Sequence, residues 1–352
     1  MIKNVLLPLF ISLVAIAGNT LNPNLPDLVE KVSPGVVNIS STRYVKQYVM
    51  RGMPEFFGMF GIPEAHLEKQ SALGSGFIID SNGYILTNNH VIEKANEVIV
   101  NLLDKRRIPA KIIGKDRIMD LALLQLKGGA SIPNLEPVKL GDSDKTRIGE
   151  PVFAIGNPFG LQHTVTSGII SGKNRTIGIG VLDNFLQTDA SINFGNSGGP
   201  LLNMKGEVIA INTAINAKGQ LLGFAIPIDE AKRHLSDLKN FGYIVRPWFG
   251  VLGENVTPAA QYYYNLPVDH GVVVLKMDSK GPGHRAGLRV GDIILQVDNQ
   301  NVHDRSDIQR YLAKAKVGDV IKVVFQRDSQ KLTKELKLLS APDSNELPDE
   351  AI

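Results

Sequence analysis

The sequence predicts an all-β domain, built as barrels or as a sandwich, followed by a smaller α+β domain. The chain has 352 residues, which is long for a single domain. Its first two thirds consist of short apolar runs separated by Gly, Pro and Asp, a pattern typical of all-β folds and not of alternating β–α units. From about residue 243 onward, strand-like runs are instead interleaved with helix-like faces.

The strands of the first domain begin with a predicted hairpin. Residues 76–79 and 84–87 are apolar runs on either side of a turn that contains Asn82-Gly83, a pair that favours hairpins. A helix is predicted at the end of the domain, because apolar residues recur there at spacings of three and four before Gly242. The further predicted strands are 97–103, 110–114, 121–126, 151–155, 164–171, 207–212 and 221–226.

The second predicted domain spans residues 243–341. It contains a glycine between bulky apolar residues at 248–253, a Gly-Asp turn that leads into a strand near 292–295, and a helix-like face after Ser306. Residues 320–325 are predicted as its last strand. A Gly-apolar loop beside a strand edge and a helix suits the capture of a peptide C-terminus, whose carboxylate binds backbone N–H groups. The alternative is an ordinary α+β domain with a glycine turn.

Composition excludes several classes of function. The net charge of +3 is small and dispersed, so nucleic acid is not an expected partner. The absence of cysteine excludes disulfides, thiolate metal sites and a cysteine nucleophile. Since no two of the seven histidines have a spacing typical of metal ligands, we expect neither a metal nor another cofactor.

The N-terminus has the pattern of an export signal. Lys3 is followed by an apolar stretch at 5–17 that ends in small residues. Thirteen residues are short for a membrane span, which needs about 20. We therefore interpret residues 1–17 as a cleaved signal peptide, with a retained membrane anchor as the alternative, and expect the protein to act outside the cytoplasm. The acidic segment 342–352, which contains no basic residue, is predicted to be disordered.

A candidate nucleophile lies in the sequence Gly195-Asn-Ser-Gly-Gly-Pro200. Glycines around Ser197 allow a tight turn that directs backbone N–H groups to one point. His90 and Asp120 each adjoin an apolar run, so the chain order is His, Asp, Ser. This is the order of chymotrypsin-like serine proteases, whose fold is a double β-barrel. A Gly-rich turn, a surface histidine and a strand-capping aspartate are the alternatives for each residue alone.

Eight motifs give the chain a resemblance to the HtrA family of serine proteases over residues 27–341. The resemblance implies a trypsin-like protease domain at 27–242 and one PDZ domain at 243–341, which is the domain number of DegS and not of DegP. These motifs are Gly74-Ser-Gly-Phe-Ile-Ile, Thr87-Asn-Asn-His-Val, Asp120-Leu-Ala-Leu-Leu, Gly156-Asn-Pro-Phe-Gly, Thr166-Ser-Gly-Ile-Ile-Ser, Gln187-Thr-Asp-Ala, Gly195-Asn-Ser-Gly-Gly-Pro and Ile211-Asn-Thr-Ala-Ile.

The resemblance also implies a role for individual residues. Ser197 would be the nucleophile, His90 the general base and Asp120 the residue that orients His90. The backbone N–H groups of Gly195 and Ser197 would form the oxyanion hole. Ile192 and Ile215 would line a shallow apolar specificity pocket that accepts Val, Ile or Ala. The PDZ carboxylate-binding loop would consist of Phe249, Gly250, Val251 and Leu252.

Four further expectations follow, and all but that for Asp189 come from the family. Arg175 corresponds to an arginine that senses PDZ or peptide contacts, the alternative being an exposed arginine with no partner. Residues 54–61 resemble a regulatory loop, or else form an ordinary hydrophobic loop. Asp189 has the wrong offset from Ser197 for a trypsin-type pocket and is interpreted as a structural carboxylate. The family assembles as a homotrimer or a multiple of it.

The expected function is that of a periplasmic endopeptidase for protein quality control. Its partners would be unfolded or misfolded proteins, with C-terminal peptides bound at the PDZ domain. Two alternatives remain: a dedicated stress-sensing protease with one main substrate, and a chaperone-like binder of unfolded chains.

Overall fold

The computed structural model describes residues 24–51, 62–156, 164–176, 184–193, 195–215, 222–264, 266 and 268–342. Three predictions lie outside the described residues: the signal segment 1–17, the regulatory loop 54–61 and almost all of the acidic tail 342–352.

The first six strands form a closed antiparallel barrel in the order β1-β2-β3-β6-β5-β4. Helix α1 (Leu25–Val32) and a 3-10 turn (Ser33–Gly35) precede it, and helix α2 (Asn89–Ile92) follows β3. The barrel strands are β1 (Val36–Arg51), β2 (Ile62–Ile78), β3 (Tyr84–Thr87), β4 (Glu97–Asn101), β5 (Arg107–Asp116) and β6 (Leu121–Leu126).

A second barrel follows a 3-10 turn at Gly129–Ser131. Its strands pair in the order β11-β8-β9-β10-β13-β12, and β12 closes the barrel on β11, while β7 pairs with β12 in parallel. The two-barrel prediction is therefore confirmed. The strands are β7 (Lys139–Leu140), β8 (Pro151–Gly156), β9 (Thr164–Arg175), β10 (Phe185–Thr188), β11 (Pro200–Asn203), β12 (Glu207–Ile215) and β13 (Gly223–Pro227).

Strand alternation distributes the apolar side chains over two kinds of core. Along β6, Ala122 and Leu124 belong to the interior of the first barrel, whereas Leu121 and Leu123 belong to a core shared with the second barrel. Phe153 and Ile211 contribute to this shared core from the second barrel. The ends of β3 and β6 therefore lie at the boundary between the barrels.

Helix α3 (Ile228–Asn240) ends the double barrel as the sequence predicts. Its apolar face, which includes Ala231 and Leu238, completes the shared core. The helix lies so close to β5 that a Cβ atom at Gly114 would be 2.4 Å from the carbonyl oxygen of Leu238. Gly242, with φ of +84°, follows the helix.

The C-terminal unit is an α+β domain with its own core. Its main sheet has the order β15-β16-β17-β19-β20, so β15 is an edge strand, and β18 pairs with β17. The elements are β14 (Pro247–Trp248), β15 (Val251–Asn255), α4 (Pro258–Tyr264), β16 (Val272–Met277), α5 (Pro282–Arg285), β17 (Ile293–Val297), β18 (Gln300–Asn301), α6 (Arg305–Leu312), β19 (Val320–Arg327), β20 (Gln330–Lys337) and β21 (Leu339–Ser340).

Two details of this unit differ from the sequence prediction. Helix α6 begins at Arg305 and not after Ser306, because the carboxylate of Asp304 accepts a hydrogen bond from the backbone N–H of Asp307 in a capping box. The prediction that 320–325 is the last strand was wrong, since β20 and β21 follow. Strand β20 alternates only weakly and contains several exposed lysines, which conceals its strand character in the sequence.

The two ends of the C-terminal unit meet at the double barrel. Strands β14 and β21 pair with each other, and the N–H of Ala341 donates to the carbonyl of Arg246. The Arg246 guanidinium donates to both carboxylate oxygens of Asp116, which is 0% exposed at the end of β5. This buried ion pair fixes the start of the unit to the first barrel.

Candidate functional site

His90 and Asp120 meet because β3, which His90 follows, pairs with β6, which Asp120 precedes. Thr87 at the end of β3 pairs with Ala122 at the start of β6, and α2 then carries His90 back over that edge. His90 Nδ1 lies 2.7 Å from Asp120 Oδ2, and the backbone N–H of His90 donates to Asp120 Oδ1 at 2.9 Å. One carboxylate thus holds both the ring and the backbone of the histidine.

The backbone of Asp120 has φ of +51°, which is uncommon for a residue other than glycine. Its carbonyl accepts hydrogen bonds from the backbone N–H of Asn89 (3.1 Å) and from Asn88 Nδ2 (3.0 Å). Its Oδ2 also accepts from the hydroxyl of Thr213 on β12, at 2.6 Å. These contacts hold the aspartate in a conformation that a free loop would rarely adopt.

The pKa of His90 is raised above its ordinary value. Partial burial acts to lower this pKa, but the hydrogen bond that the ring donates to Asp120 and the negative charge of Asp120, with a smaller contribution from Glu93, outweigh the effect of burial. The side chain is 46% exposed, so the ring remains accessible from solvent.

Ser197 lies on a tight turn of the second barrel. The N–H of Asn196 donates to the carbonyl of Asn193, and Gly195 within this turn has φ of +103°. Within the described part of the chain, the N–H groups of Gly195 and Ser197 donate to no other group. Gly198 follows with φ of +82°, and a Cβ atom there would be 2.3 Å from the carbonyl oxygen of Ser75.

Thr213 connects the three predicted residues in this structure. Its hydroxyl donates to Asp120, and its carbonyl accepts from Ser197 Oγ at 3.4 Å. No hydrogen bond joins Ser197 Oγ to His90 in this rotamer, although both residues lie within the described chain. The geometry brings His90 and Asp120 into contact, and Thr213 links Asp120 to Ser197 through its hydroxyl and its carbonyl.

Comparison with known proteins finds two domain families in this chain. The trypsin-like peptidase domain family matches residues 74–211, and the PDZ domain family matches residues 250–338. A probable periplasmic serine endoprotease, DegP-like, from Halomonas elongata is 39% identical over 92% of this chain and 72% of the relative. Another protein with this description, from Hahella chejuensis, is 40% identical over 92% of this chain and 71% of the relative.

The chain belongs to the HtrA family of serine proteases. Among solved structures, the HtrA-type protease AlgW with a decapeptide is 37% identical, with a TM-score of 0.70 over 90% of this chain and 98% of that one. The serine endoprotease from Yersinia pestis is 33% identical, with a TM-score of 0.65 over 90% and 97%.

This HtrA protease is thus a periplasmic serine endoprotease with one PDZ domain. Among the residues that the structure describes, no helix has the length and apolar character needed to cross a membrane.

The residues predicted to form the specificity pocket are described in part. Ile192 is 4% exposed and packs in the core of the second barrel, where a Cβ atom at Gly223 would be 2.7 Å from its Cγ1. The side chain of Ile215 lies outside the described residues. Asp189 is half-buried and accepts a hydrogen bond from the N–H of Ile169, which suits the structural interpretation.

Arg175 is exposed at the end of β9. Its Nε donates to Gln187 Oε1 on β10 at 2.9 Å, with the guanidinium lying over Gly172. Its partner in the described residues thus lies within the protease domain and not in the PDZ domain.

The predicted PDZ loop is more buried than the sequence indicates. Phe249 is 0% and Val251 2% exposed, and both belong to the PDZ core. Gly250 has φ of +79°, and a Cβ atom there would be 2.8 Å from Gly281 Cα. Leu252 is half-buried on the edge strand β15. A charged residue at Val251 would therefore disrupt the PDZ core.

Sequence reasoning missed three residues that support the site: Asn88, Thr213 and Ser75. Asn88 and Thr213 each bind Asp120. All three occur within the family motifs, but their partners lie in loops that are distant in the sequence. Only a knowledge of strand pairing could have indicated these contacts.

Proposed function

We propose that this HtrA protease cleaves peptide bonds with Ser197 as nucleophile, His90 as general base and Asp120 as the residue that orients His90. The observation that carries the proposal is the 2.7 Å hydrogen bond between His90 Nδ1 and Asp120 Oδ2. With Nδ1–H donated to Asp120, the other ring nitrogen is unprotonated and is able to accept the proton of Ser197.

Catalysis would begin with a rotation of the Ser197 side chain. Its hydroxyl now donates to the carbonyl of Thr213, and turning about the Cα–Cβ bond would redirect it to His90. Attack on the substrate carbonyl then gives an oxyanion, which the N–H groups of Gly195 and Ser197 would stabilise. As the oxyanion collapses to an acyl-enzyme, protonated His90, held by the Asp120 carboxylate, donates its proton to the leaving amine. Neutral His90 then takes a proton from a water molecule, whose oxygen attacks the acyl group, and returns that proton to Ser197 as the carboxylic acid leaves.

The raised pKa of His90 leads to a prediction about pH. Because the base must be neutral, we expect kcat/KM to fall as pH decreases, with a midpoint above the ordinary histidine value of about 6.5. The pH dependence of this pair's contribution to stability has the opposite sign. The protonated His90–Asp120 pair stabilises the fold below the unfolded-state pKa of His90, and this contribution is lost as pH rises through the folded pKa.

The measurement is hydrolysis of a small peptide reporter between pH 5 and 9, with the melting temperature recorded in the same buffers. A rate that stays constant from pH 8 to pH 5 while the protein remains folded would exclude His90 as the base.

We further propose that the substrates are misfolded or unfolded proteins and that the PDZ domain binds their C-termini. In the described sheet, β15 pairs only with β16, which leaves one edge available for an added peptide strand. The AlgW structures contain a decapeptide or a tripeptide. The edge strand also suits a dedicated stress-sensing protease, which would be stimulated by one peptide class and would spare casein.

The test compares casein, a folded control protein and a peptide reporter, each with and without peptides that end in an apolar residue. If peptide binding is coupled to the active site, free-acid peptides are expected to raise the rate about 5- to 150-fold, and amidated peptides to have no effect. Mapped casein fragments are expected to show Val, Ile and Ala before the cut sites, as the proposed Ile192/Ile215 pocket requires. A majority of Lys and Arg there would contradict that pocket.

Arg175→Ala is expected to bind the peptide but to lose the stimulation, if Arg175 carries the coupling. Arg147→Ala is the matched control, since Arg147 is another exposed arginine of the second barrel with a partner, Glu150, in its own domain. Equal stimulation of both variants would leave Arg175 without a regulatory role.

A further inference from the structure

Ser75 on β2 reaches across the barrel boundary to the loop that carries Ser197. It is 0% exposed. Its hydroxyl donates to the carbonyl of Gly195 at 2.6 Å, and its backbone N–H donates to the carbonyl of Ser197 at 2.9 Å. One residue of the first barrel therefore binds both residues whose N–H groups we propose as the oxyanion hole.

Strand β3, which precedes His90, in turn holds Ser75 through a hydrogen bond. The hydroxyl of Thr87, which is 0% exposed at the end of β3, donates to the carbonyl of Ser75 at 2.7 Å. The approach of the two barrels here is so close that a Cβ atom at Gly198 would be 2.3 Å from Thr87 Oγ1. The contact is thus a packed, hydrogen-bonded junction and not an exposed surface bond.

We infer that Ser75 is a positioning residue for the oxyanion hole, an inference that rests on the proposed function of Gly195 and Ser197. A carbonyl fixed at Gly195 restrains the rotation of that glycine, which has no side chain to hold it at φ of +103°. The other end of the same peptide unit is the N–H of Asn196, which donates to the carbonyl of Asn193. Without the Ser75 hydroxyl, the Gly195 carbonyl loses a buried donor. Its peptide unit is then held only through the Asn196 N–H, and the direction of the neighbouring Gly195 N–H is less restrained.

The test is Ser75→Ala, measured with a peptide substrate and with a peptide aldehyde whose hemiacetal oxygen occupies an oxyanion hole. Removing a direct oxyanion donor costs about 10²- to 10³-fold in kcat, so the loss of a residue that positions one is expected to cost roughly 10- to 100-fold. KM is expected to stay unchanged, because the interaction forms only with the developing oxyanion. Aldehyde affinity is expected to fall by a similar factor.

Ser41→Ala is the matched control. Ser41 is 5% exposed in the first barrel, and its hydroxyl donates to the carbonyl of Val91 at 2.8 Å, so the variant also loses one buried hydroxyl-to-carbonyl hydrogen bond. Both variants are expected to melt at similarly reduced temperatures, but only Ser75→Ala is expected to lose kcat.

The outcomes separate this inference from the proposed function. If Ser197→Ala is inactive but Ser75→Ala has an unchanged kcat, the inference is overturned and the proposed function remains intact. Equal loss of kcat in Ser75→Ala and Ser41→Ala would also overturn it. If Ser75→Ala does not fold, Ser75→Cys serves instead: a thiol is a weak donor, and no other cysteine is present to pair with it. Wild-type kcat in Ser75→Cys, together with wild-type aldehyde affinity, would count against the inference.

Discussion

Ser197→Ala is expected to lower the rate of peptide cleavage by about 10⁴- to 10⁶-fold, which is the largest effect predicted for this protein. The variant lacks the oxygen that would attack the substrate. The only hydrogen bond of this hydroxyl in the described structure is a long one, 3.4 Å to the carbonyl of Thr213. The fold is therefore expected to remain intact. Casein digestion and reporter hydrolysis measure the loss, and binding of unfolded casein is expected to persist.

Ser191→Ala provides a control on the same segment. Ser191 is exposed, and its carbonyl, which the substitution keeps, accepts the hydrogen bonds from Thr166 and Asn196. We expect activity close to that of the unmodified protein. Undiminished casein digestion by Ser197→Ala would exclude Ser197 as the nucleophile and would favour a chaperone-like binder.

Asp120→Asn is expected to lower kcat by roughly 10³- to 10⁴-fold, in line with the effect of this substitution in chymotrypsin-like proteases. Both carboxylate oxygens of Asp120 accept hydrogen bonds, Oδ1 from the His90 N–H and Oδ2 from His90 Nδ1 and Thr213 Oγ1. An amide group must place its NH₂ at one of these positions. If it faces the ring, His90 Nδ1 becomes an acceptor, the proton moves to the other nitrogen, and the ring is unable to take the Ser197 proton.

Asp80→Asn is the matched control for Asp120→Asn. Asp80 also accepts backbone hydrogen bonds, from Asn82 and Tyr84 in the hairpin before β3, but it does not contact His90. Its kcat is expected to change less than threefold, as for surface substitutions away from a site. A loss of less than tenfold in Asp120→Asn, measured with the same reporter, would contradict the proposed role of Asp120.

The fold class was predictable because local patterns carry it. The Asn82-Gly83 turn, the apolar run 121–126 and the periodic face of α3 each appear in the structure near their predicted positions. Helix α1 and strand β1 were not predicted. Strand β1 mixes polar and charged residues along its length. Helix α1 is amphipathic but spans only eight residues, which is shorter than the window over which helical periodicity is recognised.

The candidate site was predictable only as far as its motifs reach. His90, Asp120 and Ser197 lie in short distinctive segments, whereas the contacts of Thr213 and Ser75 depend on how the two barrels face each other. Burial of Phe249 and Val251 likewise depends on the PDZ core, which no short motif specifies. Local sequence motifs thus indicate the candidate reactive residues more clearly than they indicate the residues that hold these in place.

The pairing of β14 with β21 has a consequence for the order in which the protein matures. This pair joins residues 247–248 to residues 339–340, so the PDZ domain completes its fold only after nearly all of its chain has emerged. The last strand of the second barrel, β13, ends at Pro227. A chain that enters the periplasm from its N-terminus is therefore able to close both barrels, and to bring His90 and Asp120 together, while the PDZ domain is still unformed. For a short period the folded protease domain would contain its candidate catalytic residues without the PDZ domain that we propose to bind peptides.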